Sequence, residues 1–107
     1  MKINKSDLNP VKGSEQAGFR PVVILSGNLL NKHLPVVIAA PLTSKVKNYK
    51  GNPVLDPKEE NGLKVRSELL VFHIRSISKD RLIEKAGDVD KAELTQAIHT
   101  LNDLLKF

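Results

Sequence analysis

Four short apolar runs, at 20–25, 34–40, 54–55 and 68–74, are rich in valine, isoleucine and leucine and are separated by glycine, asparagine and proline. Runs of that length between turn residues are strands, and together they predict one antiparallel barrel or curved sheet. A different period follows them. Asp90-Lys91-Ala92-Glu93 reads as a capping box, and Leu94, Ala97, Ile98, Leu101, Leu104 and Leu105 recur at helical spacing. The chain is therefore expected to be α+β and mainly β, with a C-terminal helix of about four turns packed on the sheet. A length of 107 residues fits one domain with a single core and is too short for two. No repeat, low-complexity tract or linker divides it.

Composition narrows the setting. Cysteine is absent, so there is no disulfide and no thiolate nucleophile or ligand, as suits a reducing cytoplasm. The first residues lack the apolar run of a signal peptide, and no run approaches the roughly 18 residues of a membrane span. A cytoplasmic protein without membrane contact is expected. Seventeen basic against twelve acidic residues give a net charge of +5, which favours a polyanionic partner. One tyrosine and three phenylalanines are few for a single-strand stacking platform, so recognition is expected to rest mainly on hydrogen bonds and charge.

The segment Lys12-Gly13-Ser14-Glu15-Gln16-Ala17-Gly18-Phe19-Arg20-Pro21 puts an acid, an amide and a guanidinium on one glycine-bounded loop directly before a strand. Glycines at both ends allow close backbone approach, and the arginine offers a planar five-donor fork to a phosphate. Taken alone, the segment reads equally as a solvated turn. Segment 44–53 carries three lysines around Tyr49, either as a basic flap over a phosphate backbone or as a hydrated loop anchored by its ring.

From Asp7-Leu8-Asn9-Pro10 through that loop, the sequence resembles the MazF/PemK family of toxin endoribonucleases from bacterial toxin–antitoxin pairs. Further stretches carry the resemblance in order: Ala40-Pro41-Leu42-Thr43-Ser44-Lys45, Asn61-Gly62-Leu63, Arg66-Ser67 and Ile74-Arg75-Ser76-Ile77-Ser78-Lys79-Asp80-Arg81-Leu82. The resemblance implies an SH3-like antiparallel β-barrel with a C-terminal helix, a homodimer, no cofactor, and a single-stranded RNA substrate. The implied partner is a MazE/PemI-like antitoxin, with DNA reached only through it. At the start of the chain, Ile3-Asn4-Lys5-Ser6 stands where the family has a more apolar strand, so the first strand, about 1–6, is expected to be weakened or missing.

His33, His73 and His99 lie far apart and no dense carboxylate cluster is present, so no metal site is expected. Phosphodiester cleavage without metal is easiest on RNA, whose 2′-hydroxyl is an internal nucleophile beside the phosphorus. The protein must remove one proton, stabilise charge at phosphorus and protonate the leaving 5′-oxygen. By resemblance Arg20 and Thr43 are the catalytic residues. A guanidinium stays protonated at any ordinary pH, so Arg20 suits charge stabilisation and proton donation rather than the base role. The resemblance places Ser14, Glu15, Gln16, Pro21, Ser67, His73 and Arg75 against substrate. Glu15 can accept the 2′-hydroxyl proton or hydrogen-bond a base edge; Arg75 can clamp a neighbouring phosphate. Phe72-His73 replaces the family's acidic residue and glutamine, and His73 is expected to read or position a base rather than to move the proton. Two other functions remain open: a non-catalytic toxin of the CcdB kind acting on gyrase by protein contact, and an inactive family member that retains antitoxin binding.

Overall fold

The computed structural model describes residues 2–7 and 19–106. Seven strands run β1 Lys2–Asp7, β2 Phe19–Ile24, β3 Val36–Thr43, β4 Val54–Leu55, β5 Ser67–Leu69, β6 Arg75–Ser78 and β7 Leu82–Asp88. A short helix α1, Asn28–His33, links β2 to β3, and α2, Lys91–Leu104, closes the chain. The sheet order is β4-β5-β3-β2-β1-β7, with β6 also on β3, and the pairs between these strands are antiparallel. The expected class is observed, but the barrel is open: among the described residues no ladder joins β4 to β7. Its middle explains why. The outer edge of β3 is divided, with β6 pairing Val36–Ala39 and β5 pairing Leu42–Thr43, so the sheet forks there.

β2 and β3 lie at the centre and are buried on both faces, which is why their sequences read as continuous apolar runs. Val23 and Leu25 point into one cluster with Ala40, Leu42, Leu55, Leu69, Val71 and Ala97, whereas Val22 and Ile24 point into a second with Val37, Ala39 and Ile77. Each fully buried aliphatic side chain of this kind contributes about 1.5–3 kcal/mol. Helix α2 covers the first cluster through Ala97, Leu94 and Leu101. The predicted stripe runs on past its cover, since Leu104 and Leu105 are exposed.

Strand β1, expected to be weak or missing, is present and pairs with both β2 and β7, with register irregularities against β7 after Ile3 and Lys5. Backbone pairing does not require apolar side chains, so a polar sequence still completes the ladder. The run at 68–74 is not one strand. It breaks after β5 into a 3-10 turn, Val71–His73, before β6 begins.

Asn61-Gly62-Leu63 is a structural staple. The Asn61 side chain is buried; its oxygen accepts from the backbone N–H groups of Lys58 and Leu63, each at 3.0 Å, and its amide donates to the Asp56 carbonyl at 2.8 Å. Gly62 has a φ of +66°, and a Cβ there would sit 2.1 Å from the Ala86 carbonyl oxygen. Only glycine lets this loop press so closely on β7. Among the described residues no helix is long and apolar enough to cross a membrane.

Candidate active site

The β2–β3 register sets Val22 against Pro41, Val23 against Ala40 and Ile24 against Ala39. Carried two residues further, it brings Arg20 opposite Thr43, on the sheet face shared by Val22 and Ile24 because alternate strand residues share a face. Two motifs more than twenty positions apart in sequence thus meet at one end of the central strand pair. Arg20 and Thr43, with Pro21 and Ser67, line one hollow of about 390 Å³, walled also by Leu42, Ser44, Lys45 and Val65. Pro21, Val65 and Ser67 are shared with an adjoining hollow of about 440 Å³ that reaches Gly62, Lys64 and Lys85.

The chemistry of the lining is cationic. Arg20 is exposed, and among the described residues its guanidinium has no hydrogen-bond or ion-pair partner, so all five donors are available. Lys45 adds a second positive charge, and among the described residues no carboxylate lines this hollow. The Thr43 hydroxyl accepts from the Lys45 backbone N–H at 3.1 Å. That contact fixes its oxygen and leaves its proton to donate. Ser67 is buried and donates to the Val65 carbonyl at 3.0 Å, so it shapes the wall and keeps only acceptor capacity for a ligand.

Arg75 is exposed on β6, opposite Ala39, and shares its face with Ile77 and hence with the second cluster. It lies on the same side of the sheet as Arg20 but four residues along β3 from Thr43, roughly 13 Å. The structure therefore separates Arg75 from the hollow. His73 does not line the hollow either. It is exposed at the end of the 3-10 turn, with its ring edge-to-face on Phe72 at 4.5 Å between centroids. Ser14, Glu15 and Gln16 lie outside the described residues. Among the described residues no three His, Asp or Glu side chains gather as a metal-ligand set.

Glu68 is the site residue that sequence reasoning missed. It is fully buried beneath the loop that follows Thr43. Its carboxylate accepts from the backbone N–H groups of Lys47, Asn48 and Tyr49 at 2.8, 2.7 and 3.0 Å and from the Asn52 amide at 2.9 Å. Burial pushes this carboxyl up; the hydrogen bonds from Asn52, Asn48, Lys47 and Tyr49 together outweigh it and hold the group below its ordinary value. The available signal was a lone glutamate leading an apolar run, because a charge so placed is either exposed or heavily hydrogen-bonded.

The family described as "PemK-like, MazF-like toxin of type II toxin-antitoxin system" matches residues 1–105. The chain is 42% identical over 97 residues to an endoribonuclease MazF of Staphylococcus saprophyticus, covering 87% of this chain and 81% of that relative. Its fold is similar to the crystal structure of MazF from Deinococcus radiodurans, with a TM-score of 0.78 and 28% identity over 97% of this chain and 92% of that one. It is likewise similar to a chain of a MazE-MazF crystal structure from Deinococcus radiodurans, with a TM-score of 0.79 and 25% identity over 97% and 92% of the two chains.

Proposed function

The chain belongs to the PemK-like, MazF-like family of toxins of type II toxin–antitoxin systems, and on that premise we propose that it is a metal-independent endoribonuclease that cuts single-stranded RNA at a short recognition sequence. The attacking group is the 2′-hydroxyl of the substrate, so the products are a 2′,3′-cyclic phosphate and a 5′-hydroxyl. The observation that carries this reading is the meeting of Arg20, unpaired among the described residues, with Thr43 across β2 and β3 in a cationic hollow.

Arg20 grips the non-bridging oxygens as negative charge builds on the pentacoordinate phosphorus, and it donates toward the leaving 5′-oxygen. Thr43 adds one neutral hydrogen bond from the proton its fixed oxygen leaves free. Arg75 holds the phosphate of a neighbouring nucleotide, and the bases run over the loops beyond. Single strands are the substrate because an A-form duplex hides base edges in a deep, narrow groove. The molecule acts as a homodimer, regulated by an antitoxin that covers the same face.

Incubation of the protein with a long single-stranded RNA in EDTA, followed by mapping of the cut ends, tests this. Cuts at a common short sequence with cyclic phosphate ends are expected. Cleavage only on addition of a divalent ion, or 5′-phosphate ends, would overturn it.

A further inference from the structure

Tyr49 and Phe72 lie far apart in sequence, both are exposed, and the fold brings their rings together. Tyr49 and Phe72 are 50% and 47% exposed, with centroids 5.7 Å apart and planes at 86°; the Phe72 ring also meets His73 at 81°. An edge-to-face contact covers at most one face of one of its two rings, so Tyr49, with a single such contact, keeps at least one face uncovered by Phe72. Exposed ring faces on a small domain need a reason.

Their meeting is built from beneath. The buried Glu68 carboxylate accepts from the backbone N–H groups of Lys47, Asn48 and Tyr49 and from the Asn52 amide, and the Asn52 oxygen accepts from the Val71 N–H at 3.3 Å, at the head of the turn that presents Phe72 and His73. One buried polar network therefore fixes both halves of the ring pair. Asn48, between them and the lysines, takes a positive φ of 58° to complete the bend.

The charge around the rings selects the occupant. Lys45, Lys47 and Lys50 are exposed on the same loop, and Lys45 at its near end lines the Arg20–Thr43 hollow. Tyr49 lies six positions after Thr43, a span of at most about 22 Å. Cations along a path that ends in uncovered ring faces suit a single strand whose phosphates follow the lysines and whose unpaired base stacks at the end.

We propose that Tyr49 and Phe72, held by the Glu68–Asn52 network, form a stacking shelf on which one unpaired nucleobase lies flat against one ring and meets the other edge-on, in the RNA strand whose phosphate occupies the Arg20–Thr43 hollow. The proposal rests on the ribonuclease reading and adds a specificity subsite to it. Stacking tolerates any base but favours larger ring systems, so the shelf sets a preference at one position of the cut sequence rather than an absolute requirement.

Tyr49 is the only tyrosine, and tryptophan is absent, so the intrinsic emission of the protein reports on the shelf directly. The probes are a random-sequence 2′-O-methyl RNA 12-mer pool, which lacks the attacking hydroxyl, and an abasic strand of equal charge. Quenching of Tyr49 emission by the pool and not by the abasic strand is expected. Phe72→Leu should weaken pool binding about ten-fold and change base preference at one position of the mapped cut sites, whereas Phe72→Tyr should restore both. Equal quenching by the abasic strand overturns the shelf, as does quenching by polyglutamate but not by the pool, which would make the surface a dock for an acidic protein. RNA cleavage that proceeds with unchanged emission and unchanged cut sites in Phe72→Leu removes the shelf and leaves the ribonuclease intact. Absence of both RNA binding and cleavage in the wild-type protein removes the ribonuclease reading, and the shelf with it.

Discussion

Arg20 and Thr43 differ in what they bring to the hollow, and the difference predicts a ranking. Arg20 is a permanent cation with free donors, so Arg20→Ala should lower the cleavage rate by about 10²–10³, the usual loss for one charge-stabilising donor. The fold should persist, because the Val22–Leu25 core behind it does not use the guanidinium. Thr43→Val should cost less, since only a neutral hydrogen bond is lost; single-turnover rates on one RNA measure both, and wild-type rates in either would remove the assignment. Glu68 makes a different prediction, about stability. Its carboxyl is held below the ordinary value of 4.5, so the unfolded chain binds the proton first as pH falls. The stabilisation is complete above 4.5 and is lost progressively below it. Denaturant unfolding should show that acid loss in the wild-type protein, and Glu68→Gln should be less stable at pH 7 by about 2–4 kcal/mol with a flatter acid limb, because an amide cannot accept from all four donors. That Arg20 and Thr43 belong together was legible, because their flanking residues repeat a family pattern and the fold sets both on one hollow. Glu68 and the Tyr49–Phe72 pair were not, because burial and ring contact arise from the fold: four scattered aromatics gave no sign that two would meet.

At the level of elements, what could be read depended on how local the signal was. The α2 capping box is a four-residue pattern, and it is observed as read: the Asp90 carboxylate accepts from the Glu93 N–H at 2.8 Å, and Glu93 accepts from the Asp90 N–H at 3.3 Å. The apolar runs of β2 and β3 were equally local. By contrast, β6 and β7 carry polar residues, and β7 owes its place to pairing with β1 and to the close approach of the Gly62 loop, neither of which has a local signature. The break after β5 was hidden for the same reason: Val71 is apolar enough for a strand, but its N–H goes to Asn52 rather than to a ladder. Asp90 lies outside the site, so it isolates helix docking from catalysis. Its carboxyl is held low by the Glu93 N–H and by Lys58, which it meets at 3.1 Å. Asp90→Ala removes the cap and should lower Tm by about 4–8 °C in a domain of this size, with cleavage at permissive temperature unchanged. A thermal melt paired with a rate measurement separates the two.

Across the whole molecule, charge and symmetry carry the remaining expectations. The surplus of five positive charges makes RNA affinity fall with salt as counterions are released. One subunit presents a single Arg20 hollow and one loop of lysines; the proposed two-fold pair would repeat both and so offer more surface to a strand of several nucleotides. Sedimentation at micromolar concentration should therefore show a dimer. In the proposed regulation the antitoxin occupies this same face. An antitoxin segment that is acidic and unfolded until bound can lay carboxylates where phosphates would sit, and by folding on the surface it covers an extended groove without a preformed domain of its own. Such a segment competes with RNA rather than distorting the hollow from a distance. Titrating it into the protein saturated with uncleavable 2′-O-methyl RNA should release the RNA in proportion to segment bound, and Arg20→Ala should weaken both ligands. Simultaneous binding, with neither affinity altered by the other, would exclude occlusion and require the antitoxin to act through a separate surface.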